Sequence, residues 1–260
     1  MSVVRLNKTK KLLADGGIAV GAVIASPAPE LVEVAAVAEF DFVTFDAEHE
    51  PLDDSDLVTL IRAADAFGIT PIVRVPKDPD RLLRLMDAGA QGVHVPRCST
   101  LAHMRELVEC TRFYPEGQRT FYRLGRGGHF SSGLTDAEWA KQANAELLVV
   151  AMIEEASALD QLDEMLAIPG VDAIHIGPKD LWQSMGMPPK AEVDKVIERI
   201  ASAARKAGKH VSMQHAGIED PTPQIARHQV LNVTMRSIPL LGFLLREGAA
   251  LAKKMRVRAS

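Results

Sequence analysis

Residues 45–50 read FDAEHE, placing Asp46, Glu48, His49 and Glu50 at the end of an apolar run that begins near Phe40. Such a cluster is either a strand surfacing into a solvated turn or a set of proton-active groups gathered for chemistry. Three other stretches bear on the choice. Arg74 closes the run TPIVR, Glu154 follows LLVVAMI, and Asp180 stands just past AIHI. Singly, each has an ordinary explanation: a helix-start charge for Asp180, a structural ion pair for Arg74, a surface histidine for His49. Jointly, the residue types make chemical sense. Two carboxylates with no cysteine or second histidine beside them form a hard oxygen site, suited to Mg²⁺ or Mn²⁺ rather than zinc. An arginine there can stabilise a developing enolate oxygen. A histidine, titrating near neutrality, can move the proton. The set describes enolate chemistry beside a carbonyl.

The elements that must position these groups alternate. Short, nearly continuous apolar runs at 18–25, 42–46, 70–74, 91–95, 147–153, 172–176, 209–213 and 230–235 predict strands buried on both faces of a parallel sheet. Helical spacing predicts helices over 54–67, 79–88, 100–112, 156–167, 190–207 and 237–256. Gly68, Gly89, Gly170 and Gly208 fall where a helix must end before a strand. Eight strand–helix alternations fit an α/β fold of the (β/α)8 TIM-barrel type, with a doubly wound open sheet as the alternative. No linker divides the chain, so residues 1–260 are expected to form one domain. In such a barrel the C-terminal strand ends converge, so Asp46, Glu48, His49, Arg74, Glu154 and Asp180 would meet on one rim. His94 and His175 lie inside apolar strands and read as buried core groups. His215 follows a strand and could reach the rim without a defined role. Segment 114–133 is long for a barrel connection, and its length suggests a flexible lid or subunit-contact loop. Its GRGG lacks the following Lys-Ser/Thr of a phosphate loop.

Composition narrows the classes. Hydrophobic residues make up 47% and charged residues 25%, with a net charge of -4, so no basic surface asks for nucleic acid or acidic lipid. Two cysteines, Cys98 and Cys110, make no disulfide scaffold or zinc motif and are expected as reduced thiols. The N-terminus shows neither signal peptide nor membrane span. These features lead us to expect a cytoplasmic protein.

The motifs FDFVTFDAEHEP, PIVRVP, LLRLMDAGAQGVHVP, TRFYPEGQR and MIEEASALDQLDEMLAIPGVDAIHIGPKDLWQSMG together resemble the HpcH/HpaI class II pyruvate aldolases through essentially the whole chain. The resemblance implies a divalent-metal-dependent aldolase that makes or cleaves 4-hydroxy-2-oxo acids from a 2-oxo acid and an aldehyde. It implies Glu154 and Asp180 as ligands for Mg²⁺, Mn²⁺ or Co²⁺, and His49 as base held by Asp87. Arg74 would stabilise the enolate, Asp46 and Glu48 would order metal-bound water, and Gly177, Pro178 and Lys179 would meet the substrate. It further implies homotrimers or homohexamers with an exchanged C-terminal helix. Three departures stand out. Met152 replaces a glutamine, as in a metal-independent, citrate-forming branch that condenses a 2-oxo acid with an acyl-CoA. Thr120 replaces a glycine. Lys179 replaces an alanine, and an inward-facing lysine there could form an imine.

Overall fold

The computed structural model describes residues 5–214 and, as backbone, strand 232–236. Eight parallel strands hydrogen-bond in sequence order and the last pairs back onto the first. They are β1 (Ala19–Ile24), β2 (Phe42–Asp46), β3 (Thr70–Arg74), β4 (Gly92–Val95), β5 (Leu148–Ile153), β6 (Ala173–Ile176), β7 (His210–Gln214) and β8 (Asn232–Arg236). The result is a TIM-like α/β barrel and not the doubly wound sheet. Strands β2 to β6 are buried at every position. Helices cover their outer side, which is why these strands read as continuous apolar runs.

The helices are α1 (Lys8–Ala14), α2 (Pro29–Val37), α3 (Asp54–Phe67), α4 (Pro79–Ala88), α5 (Leu101–Thr111), α6 (Asp136–Glu146), α7 (Leu162–Leu166), α8 (Pro178–Ser184) and α9 (Lys190–Lys206). Helices α3 and α4 match the sequence expectation because local chemistry writes both ends. Asp53 and Asp56 form a reciprocal capping box at the start of α3, and Gly68 closes it in the left-handed conformation with φ 70°. Asp78 caps α4, and Gly89 closes it with φ 112°. The expected helix at 156–167 divides instead into a 3-10 turn over 156–160 and the short α7. Helices α1, α2, α6 and α8 escaped the periodicity reading, being short or weakly patterned. Helix α1 is held by polar contacts instead: Thr9 Oγ1 donates to Asp41 O at 2.9 Å and accepts from Thr70 Oγ1 at 2.8 Å.

The long loop corrects an expectation. Helix α5 runs back from the rim, so residues 112–135 lie at the N-terminal end of the barrel, the end opposite the candidate site. Arg126 pairs with Asp65 near the end of α3, Arg119 with Asp87 near the end of α4, and Gly127 N donates to Asp87 O at 2.7 Å. A side chain at Gly127 would run into the Met86 and Asp87 carbonyls. These glycines therefore allow close backbone packing on α4 rather than a phosphate cradle, and the loop is no lid over its own chain's rim. The expected helix 237–256, its exchange between subunits, and His215 all lie outside the described residues.

Candidate active site

Strand ends β2, β3, β5 and β6 deliver the expected groups to one rim, and the register accounts for the central pair. Asp46 lies directly beside Arg74 across the β2–β3 ladder. Arg74 grips both carboxylate oxygens: Nε donates to Oδ1 at 2.9 Å and Nη2 to Oδ2. Asp46 is fully buried and Arg74 is 5% exposed. Asp46 Oδ1 also accepts the Glu48 and His49 amides, each at 3.3 Å. Asp46 thus anchors Arg74 and shapes the turn. Both of its carboxylate oxygens are engaged by the Arg74 guanidinium.

Glu48 bridges outward. Its Oε2 lies 3.6 Å from Arg74 Nε and 3.5 Å from His49 Nε2. These separations are too long for strong hydrogen bonds, and Oε2 is a buried oxygen with no hydrogen-bond partner among the described residues. The His49 side chain is 55% exposed, with Glu48 as its carboxylate neighbour.

Glu154 follows β5 and is 4% exposed. Its Oε1 accepts the Arg97 amide at 2.9 Å. Burial, followed by the nearby Glu48 and Asp180 charges, pushes its pKa from an ordinary 4.5 up to about 7, against the lowering pull of the Arg97 amide and Arg74. Asp180 sits in the first turn of α8. Two contacts tie its segment to that of Glu154: Gly177 N donates to Ile153 O at 3.1 Å and Ala156 N to Ser184 Oγ at 2.9 Å. A Cβ at Gly177 would meet Met152 Cε at 2.6 Å, Glu154 Oε2 at 2.7 Å and Glu154 Cβ at 2.8 Å. Only glycine allows this approach. Pro178 opens α8, and Lys179 is exposed beside Asp180.

The donor set fits a hard divalent cation. A buried carboxylate at raised pKa, two neighbouring carboxylates and an unpartnered carboxylate oxygen leave uncompensated negative charge, which is costly unless a cation shares it. Among the described residues no three His, Cys, Asp or Glu side chains form a complete metal cage. A two-carboxylate site leaves coordination positions for water and substrate.

Within one chain Asp87 lies away from His49. It occupies the last turn of α4, whose ten residues run from the rim to the barrel's other end, about 15 Å away at 1.5 Å per residue. There its Oδ1 accepts Arg119 Nη2 at 2.7 Å, and burial raises its pKa against the opposing pull of Arg119. The sequence reading missed one contributor, the Arg97 amide. A backbone donor in a left-handed loop, φ 55° at Arg97, leaves no residue-type signal. His94 and His175 are buried inside the barrel as expected, their rings 4.6 Å apart, with His175 Nδ1 2.8 Å from Ser212 Oγ. Cys98 and Cys110 are free thiols. No helix among the described residues is long and apolar enough to cross a membrane.

Comparison with known proteins places the chain in a family. Residues 20–228 match the family model described as HpcH/HpaI aldolase/citrate lyase. The chain is 31% identical over 217 residues to a 2-keto-3-deoxy-L-rhamnonate aldolase of Escherichia coli, covering 80% of this chain and 79% of that one. An HpcH/HpaI aldolase from Desulfitobacterium hafniense DCB-2 superposes with a TM-score of 0.86 at 26% identity, covering 94% of this chain and 96% of that one. The citrate synthase SbnG superposes with a TM-score of 0.83 at 29% identity, covering 95% and 97%. With its barrel, its rim carboxylates and these likenesses, the chain belongs to the HpcH/HpaI aldolase/citrate lyase family.

Proposed function

We propose that this carbon–carbon lyase is a divalent-metal-dependent class II aldolase, joining a 2-oxo acid to an aldehyde, or cleaving the 4-hydroxy-2-oxo acid, through a pyruvate enolate. The observation that carries the reading is Glu154: a buried carboxylate with a pKa near 7 beside Asp180 and Glu48, in reach of the Arg74–Asp46 pair. Glu154 and Asp180 would hold Mg²⁺, Mn²⁺ or Co²⁺, which when bound supplies Lewis-acid polarisation of the substrate carbonyl. Arg74, fixed by Asp46 and so paying little reorganisation, stabilises the enolate oxygen. His49 takes the C3 proton or returns it, with Glu48 orienting the ring. The Gly177–Pro178–Lys179 turn offers backbone to the 2-oxo acid's carboxylate. Its exposure makes Lys179 a poor imine former, since an imine-forming lysine works from a pocket closed to solvent.

The family resemblance gives Asp87 to His49, while the fold holds the two at opposite ends of one chain. The two agree if a neighbouring subunit's Asp87, carried with Arg119 and loop 114–133, reaches the His49 rim. Exposed Tyr114, Leu124 and Phe130 on that loop suit a subunit contact. Our reading is therefore a homotrimer or homohexamer of cytoplasmic, single-domain (β/α)8 chains, with the C-terminal helix exchanged. The test is retro-aldol activity before and after exhaustive chelation, with Mn²⁺ add-back. Full activity in the metal-free protein overturns the metal role. A second reading, a metal-free synthase condensing a 2-oxo acid with an acyl-CoA, is favoured by Met152, which puts an apolar side chain against Gly177 beside Glu154. Citrate release from oxaloacetate and acetyl-CoA by chelated protein would select it.

A further inference from the structure

The inner wall of the barrel carries polar groups that the proposed reaction does not use. Residues in register on neighbouring parallel strands point to the same face, and Asp46, Arg74 and His94 are in register on β2, β3 and β4. Arg74 therefore stands between a carboxylate on one side and an imidazole on the other. The part of the carboxylate is plain. Asp46 accepts from Nε and Nη2 of the guanidinium, which leaves Nη1 to other partners. His94 has no such evident task. It is 7% exposed, and its Nε2 is a buried nitrogen without a hydrogen-bond partner among the described residues. A polar atom left in that condition costs the full desolvation of the group.

Arg74 and His94 face one cavity inside the barrel, of about 30 Å³, whose other polar walls are Thr9 of α1, Thr44, Ser212 and Gln214. A water needs roughly 10–15 Å³ of such space and two to four polar partners. A cation is disfavoured, because Arg74 is already charged and no carboxylate lines the cavity among the described residues. Burial, followed by His175 and Arg74, pushes the His94 pKa well below the ordinary 6.5, so the ring is neutral and keeps one nitrogen as an acceptor. The ring is also held in place: the His175 ring lies 4.6 Å away, and His175 Nδ1 is 2.8 Å from Ser212 Oγ. A guanidinium only donates, and a neutral imidazole can accept. A water between them does both.

We propose that a water in this cavity joins Arg74 Nη1 to His94 Nε2, making His94 the positioning residue that holds the guanidinium from the side opposite Asp46. The water accepts from Arg74 and donates to His94, and the hydroxyl or amide oxygens of the wall take its second proton. The catalytic consequence rests on the aldolase reading. A guanidinium fixed from two sides is already aimed at the oxygen where enolate charge develops, and little reorganisation is left to the reaction.

Two measurements on the full-length protein test this. A high-resolution crystal structure should show an ordered water within about 3.2 Å of both Arg74 Nη1 and His94 Nε2. A dry cavity, or a water that touches only one of the two, overturns the proposal whatever the reaction proves to be. The second measurement is solvent-deuterium exchange into the methyl group of pyruvate, with the protein loaded with Mn²⁺. His94→Phe keeps a flat ring and removes the acceptor, and should lower kcat on the order of tenfold, the worth of one hydrogen bond. KM for pyruvate should stay within about twofold, because the contact serves the transition state. His94→Gln, whose side-chain oxygen accepts, should restore most of the loss. If His94→Phe fails to fold, the smaller His94→Leu carries the same comparison. An unchanged kcat, a loss carried by KM, or a glutamine variant no better than the apolar one overturns the positioning role. Absence of exchange in the wild-type protein overturns the aldolase reading instead, and the crystal structure then decides the water link alone.

Discussion

The two ends of the barrel use the same residue types to opposite effect. At the N-terminal end Arg112, 2% exposed, donates to Gly170 O, Asn144 O and Leu147 O and pairs with Asp172 at 2.8 Å. Asp172 also accepts Val149 N at 2.7 Å and pairs with Lys10 at 2.9 Å. Charge there is matched by charge and by backbone, and the cluster locks helices and loops to the strands. At the C-terminal rim the described site residues differ: Asp46 and Arg74 are matched in this way, and their neighbours are not. Glu48 keeps an unpartnered buried oxygen, and Glu154 is driven towards its protonated form by its surroundings. Buried charge that is satisfied stabilises, while buried charge left over is available to a ligand.

The contrast breaks most sharply if rim and base residues prove interchangeable. Replacing Glu154 with Ala should lower retro-aldol kcat/KM on the order of 10³-fold, about 4 kcal/mol of transition-state stabilisation, with the circular dichroism spectrum preserved. Replacing Arg112 with Ala should do the reverse. Stability to urea should fall by about 3 kcal/mol, because Asp172 loses a buried partner, and the rate constant per folded molecule should hold. If Arg112→Ala instead lowers the rate constant at full stability, the division between the ends is wrong.

Smaller effects sharpen the picture. Because the pKa of Glu154 is raised, the folded metal-free protein retains a proton between about pH 4.5 and pH 7 that the unfolded chain has released. Stability therefore falls as pH rises through that window, by about 2 kcal/mol, and Glu154→Gln should flatten the dependence in chemical denaturation. Metal affinity should move the other way, weakening below about pH 7 as protons compete for the same oxygen. Least in size, Gly177→Ala forces Glu154 aside, because the new Cβ would sit 2.8 Å from Glu154 Cβ, which cannot swing away as a side-chain tip can. Calorimetric titration should show Mn²⁺ binding weakened about tenfold, roughly 1.4 kcal/mol, with little change in unfolding midpoint.

How much of this was legible in the sequence depends on how local each cause is. Strands β2 and β3 and helices α3 and α4 fall where apolar runs, Asp caps and closing glycines put them, because those signals act within a few residues. Helix α1 was missed because its seat is made by Thr9 reaching Asp41 and Thr70, partners 32 and 61 positions away. Loop 114–133 was read correctly as long, but which end of the barrel it serves depends on the direction of α5.

By itself the sequence determined the period of the fold and the rim candidates Glu48, His49, Arg74, Glu154 and Asp180, since strand ends and residue types are written in the chain. Only the tertiary structure decided their division of labour. Ladder register set Asp46 against Arg74. Burial and the converging Glu48 and Asp180 charges raised the pKa of Glu154 against the pull of the Arg97 amide. Helix direction carried Asp87 to the far end. Register, approach distance and direction all arise from contacts distant in sequence, which residue types do not encode one at a time.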